Sequence, residues 1–66
     1  MRISKRNVLI CMAKAGVNIK KLAERIGMKP QNLSAILSRG NCRPETATRI
    51  AEGLGVDIRE IIKEET

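Results

Sequence analysis

The sequence predicts an all-α fold: five short helices packed as a single domain over residues 1–66. Apolar residues recur at three- and four-residue spacing in successive segments. Glycines and prolines fall at the ends of those segments rather than inside them. No alternating run of β-branched residues lasts five positions, so nothing reads as a strand.

The first helix is expected from about Ser4 to Ala15, ending at Gly16, with Val8, Cys11, Met12 and Ala15 as its buried face. Asn18 is a favourable N-cap for the second, which ends near Ile26 before Gly27. Pro30 opens the third, where its missing N–H costs nothing, and that helix continues to about Ser38. Arg39-Gly40-Asn41-Cys42-Arg43 reads as a loop. Pro44 opens the fourth helix, with Ala47, Ile50, Ala51 and Leu54 inward and Gly53 and Gly55 marking its end. Asp57 and Glu60 form a capping-box-like pair at the start of a last helix with Ile58, Ile61 and Ile62 as its apolar stripe.

The stretch from Ile19 to Ile36, IKKLAERIGMKPQNLSAI, carries the most information. Its helical periodicity runs to a glycine, breaks for a turn and restarts in a new register. Leu22, Ala23 and Ile26 supply the pegs of one helix, Leu33 and Ile36 those of the next, and Gly27 lies between. Two short helices meeting at a fixed angle need that arrangement, so residues 18–38 form the core of a helix-turn-helix.

Charge placement agrees with a polyanion partner. The chain carries a net +6, yet residues 1–43 hold ten Lys/Arg and one acid, whereas residues 44–66 hold three Lys/Arg and six acids. A basic field at one end is the footprint of a nucleic-acid binder. The chain has no Phe, Tyr or Trp, hence none of the stacking platforms common in single-strand and RNA-binding folds, which favours double-stranded DNA. It has no histidine, and Cys11 and Cys42 stand too far apart for metal-ligand spacing. No catalytic set, metal, cofactor or small-molecule ligand is expected. No run approaches a membrane span or the apolar core of a signal peptide, so a cytoplasmic protein without a membrane partner is expected.

On the third helix, Leu33, Ile36 and Leu37 share the inward side at 100° per residue, and Gln31, Ser34, Ala35 and Ser38 fall opposite, with Asn32 on the flank. Short polar side chains and one alanine suit the major groove. Amides can bond adenine bidentately, and a methyl group can sit against that of thymine. Gln31, Asn32, Ser34 and Ala35 are therefore the base-reading candidates. Lys20, Lys21, Lys29, Ser38, Arg39, Asn41 and Arg43 surround them as phosphate-binding candidates, supplying affinity and register.

LAERIG (Leu22–Gly27), NLSAIL (Asn32–Leu37), RGNCRP (Arg39–Pro44) and RIAEGLGVDIREII (Arg49–Ile62) together resemble the phage repressor and Cro-type, or Xre-like, helix-turn-helix regulators, over about Val8 to Ile62. The resemblance implies a five-helix repressor-like domain with its third helix in the major groove of a short operator, and action as dimers. The chain departs from that pattern in four places. Ile19 stands where many relatives place Gln, and Lys29 where Ser or Thr often caps the third helix. The loop before Pro44 is one residue longer. Met12 and Leu37 replace an Arg and a Glu; exchanging both partners of a buried ion pair for apolar groups is tolerated where exchanging one is not.

The reading is thus a transcriptional regulator, a repressor by resemblance, binding DNA sequence-specifically. The alternative is a small helix-turn-helix antitoxin or interaction module whose main partner is another protein. A homodimer on a palindromic operator is expected, because one domain of this size offers few base contacts. Ile58, Ile61 and Ile62 are the expected interface. Ile3 and Ile10, seven residues apart on the outer side of the first helix, are a second apolar surface.

Overall fold

The computed structural model describes residues 1–63, leaving Glu64, Glu65 and Thr66 outside the described residues. It contains α1 (Lys5–Ala15), α2 (Ile19–Ile26), α3 (Pro30–Arg39) and α4 (Pro44–Leu54), followed by a single 3₁₀ turn, Ile58–Glu60. The all-α expectation holds, and the four long elements start and stop where capping chemistry places them. Ser4 Oγ accepts from the Asn7 N–H at 3.1 Å, and Asn18 Oδ1 from the Lys21 N–H at 2.8 Å. Lys29 makes no side-chain cap for α3, as expected where Ser or Thr is missing.

The fifth helix is not there; the predicted stripe collapses to the 3₁₀ turn. Asp57 and Glu60 do form the capping box, and the Ile62 N–H still reaches the Ile58 carbonyl at 3.2 Å, yet the turn goes no further. The reason lies in where the next backbone groups bond. The Ile61 carbonyl accepts from the Ser4 N–H at 2.8 Å, and the Lys63 N–H donates to the Arg2 carbonyl at 3.1 Å. A helix would need those same groups, so the N-terminal segment ends it.

That segment is structural. Residues 1–3 run extended between the loop after α3 and residues 61–63, with bridges Arg2–Asn41 and Ile3–Ile62. Ile3, expected to be exposed beside Ile10, is 2% exposed and belongs to the core. It occupies the position before the Ser4 cap, and Val8 the fourth helical position. These are the places of a hydrophobic staple, and both are buried.

The core is aliphatic throughout: Val8, Cys11 and Met12 of α1, Leu22, Ala23 and Ile26 of α2, Leu33 and Leu37 of α3, and Ala47, Ile50, Ala51 and Leu54 of α4, closed by Ile3 and Ile61. Met12 and Leu37 are both buried in it. Two expected core residues differ. Ala15 is exposed, because α1 ends there and Val17 packs on the core instead. Ile36 is half-buried, and Leu37 takes the deeper place on α3.

Of the three residues of the expected dimer stripe, one is withdrawn into the core. Ile61 is fully buried inside its own chain, and Ile58 packs against the same core at half exposure. The large apolar residues at the surface are Met1, Leu9 and Ile10, the last two on α1.

Candidate nucleic-acid interface

α2 packs against both α3 and α4, which fixes the angle between the two helices of the motif. The turn between α2 and α3 closes through Gly27 at φ +68, a conformation glycine adopts without strain and a β-branched residue resists. Gly27 N–H donates to Ala23 and Glu24 carbonyls, and Met28 N–H to the Ala23 carbonyl at 2.9 Å. Leu33 at 0% and Leu37 at 3% exposure anchor α3 from beneath.

The opposite side of α3 faces water. Gln31, Asn32, Ser34, Ala35 and Ser38 are all exposed. Among the described residues, none of their side-chain polar atoms has a hydrogen-bond partner within the chain. Short polar side chains held on a rigid helix and left unsatisfied are free to bond an external partner.

Cations bracket this face. Lys29 lies immediately before α3 and Arg39 is its last residue, both exposed. Lys20 and Lys21 are exposed in the first turn of α2. Beyond α3, Arg39, Asn41, Arg43 and Pro44 line a groove with Met1 and Cys42 at the start of α4. Arg43 takes the N-cap position of α4 without capping it, so no side-chain cap bonds the first turn of that helix, which also carries Glu45. The amine of Met1 donates to the Cys42 carbonyl at 3.0 Å and to Asn41 Oδ1 at 3.4 Å. Asn41 thus has its oxygen engaged and its amide hydrogens left to bond outward. Burial pushes the Cys42 thiol above its ordinary pKa, against the lowering effect of the neighbouring amine, and it adds no negative charge to this groove near neutral pH.

Several positioning groups were not legible as such in the sequence. Arg49 of α4 donates from its guanidinium to the Ile26 carbonyl, at the last residue of α2 where no intrahelical donor reaches. Arg25 of α2 donates to the Gly53 carbonyl of α4 at 3.3 Å. Gly53, read above as an end marker, lies inside α4 and marks a close approach of the two helices. An isolated glycine within a helical pattern was the available signal. Met1 to Ile3 also bear on the site: the Ile3 N–H donates to the Gly40 carbonyl at 3.0 Å and the Cys42 N–H to the Met1 carbonyl at 3.0 Å, which holds the loop after α3.

No helix among the described residues is long and apolar enough to cross a membrane. The sequence model of a family described as Helix-turn-helix matches residues 10–61, which span α2, α3 and α4 and most of α1. No curated protein and no solved structure matches the chain.

Proposed function

The chain belongs to the Xre/Cro-like helix-turn-helix family, a family of DNA-binding domains, and from that premise we propose that it is a transcriptional regulator, acting as a repressor, that reads double-stranded DNA through the exposed side of α3. The observation that carries this reading is the exposed face of Ala35 and the unpartnered polar side chains Gln31, Asn32 and Ser34, bracketed by cations and held by Leu33 and Leu37. In this role α3 lies in the major groove, with Gln31 and Asn32 bonding base edges and the Ala35 methyl against thymine. Lys20, Lys21, Lys29, Ser38, Arg39, Asn41 and Arg43 contact phosphates and set the register.

Such a domain covers a few base pairs, so two chains on the two halves of a palindrome give the affinity one chain lacks. Of the residues expected at a pairing surface, Ile58 and Ile62 remain half-exposed and available, whereas Ile61 is committed to the core. Selection of bound sequences from a random duplex pool tests the reading. Enrichment of a short palindromic sequence supports it, and a pool that stays random overturns it. Enrichment of a non-repeated half-site keeps the regulator and removes the pair.

A further inference from the structure

The exposed side of α1 holds none of the residues assigned above to DNA. Leu9 and Ile10 are each 44% exposed, the largest apolar side chains at the surface apart from Met1. With Ala13 they line a shallow open groove whose remaining walls are Lys5 and Arg6. Ile10 also borders a second depression shared with Asn7, Cys11, Lys14, Arg59 and Glu60, so it forms a ridge between two hollows. α1 contains no acidic residue at all, and Lys14 stands in its last turn. An apolar strip whose groove is walled by Lys5 and Arg6, with Glu60 the one acid on the far side of the Ile10 ridge, on a helix whose other side is fixed in the core by Val8, Cys11 and Met12, is a preformed half of a helix-in-groove contact.

We propose that this face of α1 docks an acidic amphipathic helix of a partner protein, apolar residues at three- and four-residue spacing lying on Leu9, Ile10 and Ala13 and flanking carboxylates pairing with Lys5 and Arg6. Charge selects that occupant. A second copy of the chain would bring Lys5, Arg6 and Lys14 against the same cations, which costs association. DNA offers phosphates for the cations but nothing to cover the apolar strip. A membrane could satisfy both, yet two side chains each less than half exposed give little to insert, and stable interfacial anchoring needs a broad apolar face. A protein helix buries such a strip with a few well-placed side chains and supplies carboxylates at fixed positions.

The test uses the whole chain and a designed probe: a synthetic helical peptide with leucines at i, i+3, i+4 and i+7 and glutamates beside them. Controls are a scrambled peptide of the same composition and vesicles of phosphatidylcholine with phosphatidylglycerol. Backbone amide shifts locate the contact. The amphipathic peptide is expected to bind at least about tenfold more tightly than the scrambled one, as burying even one such apolar side chain suffices for that difference. Shifts are expected at Lys5, Arg6, Leu9, Ile10 and Ala13. The advantage should vanish in a Leu9→Ser, Ile10→Ser variant, and the binding should weaken in Lys5→Glu, Arg6→Glu, which leaves the apolar strip untouched. Both variants alter exposed positions, and unchanged melting confirms their folding. Equal binding of the scrambled peptide, shifts centred on α3, vesicle binding in place of peptide binding, or self-association through α1 would each overturn the proposal.

Discussion

The backbone of Gly53 lies so close to Ile26 that a Cβ placed on it would fall 2.6 Å from Ile26 Cγ2 and 3.0 Å from Leu22 Cδ1. The Ile26 methyl is attached at the branched Cβ and has little freedom to move aside. Overpacking of this kind costs about 1–3 kcal/mol, while alanine returns roughly 1 kcal/mol through better helix propensity. Gly53→Ala is therefore expected to lower stability by about 1 kcal/mol and Gly53→Val by more, in urea unfolding. Combined with Ile26→Ala the penalty should shrink, since the clashing methyl is gone. Additive losses would show that the close approach does not limit the packing.

Arg49 predicts an effect on binding from a residue outside the reading helix. Its guanidinium bonds the Ile26 carbonyl one residue before the Gly27 turn and so ties α4 to the hinge of the motif. Arg49→Ala should cost about 1 kcal/mol of stability, the usual value for a hydrogen bond that water can replace. It should also weaken binding to a preferred duplex at temperatures where the variant is fully folded. Stability loss with unchanged affinity would confine Arg49 to a structural role.

These two residues show what the sequence did and did not disclose. Capping residues, Pro30, Pro44 and the spacing of Leu22, Ala23, Ile26, Leu33 and Leu37 act locally, within one or two helical turns, and the four helices and the outward face of α3 were legible from them. The last helix failed because its fate depended on residues more than fifty positions away. The capping box at Asp57 is a local signal and formed, but Arg2 and Ser4 took the backbone groups that continuation needed. Ile3 departs from helical phase for a related reason: it lies outside α1, before the Ser4 cap, and turns into the core. Its pairing with Val8 about the Ser4 cap was the signal that pointed the other way.

Acid should loosen the end of the chain. The Arg59 backbone N–H, at 2.8 Å from Asp57 Oδ1, and the Arg59 side chain hold the Asp57 carboxyl below its ordinary pKa. A depressed folded-state pKa means that this stabilisation is fully present above the unfolded value, about 4, and is lost as pH falls through the lowered one. Thermal melting of the parent should therefore exceed that of Asp57→Ala near neutral pH, and the two should converge in strong acid. A difference that persists at low pH would assign the cap's effect to something other than its charge.

Phosphate and base contacts separate by their salt dependence. Lys29→Ala and Arg43→Ala should weaken binding to all duplexes alike and reduce the slope of log affinity against log salt by about one each. Fluorescence anisotropy across a salt series checks this. A variant with the parent's slope places that residue off the DNA.

The central claim, that the outward face of α3 reads sequence, is tested most directly by one ratio: affinity for the selected duplex over affinity for a scrambled duplex of the same composition. In the parent it should reach about a thousandfold or more. In Gln31→Ala it should fall by about 5- to 150-fold, the loss of one bidentate amide contact, whereas Lys29→Ala should leave it near the parent value. A Gln31→Ala variant that discriminates the two duplexes as well as the parent would contradict the account.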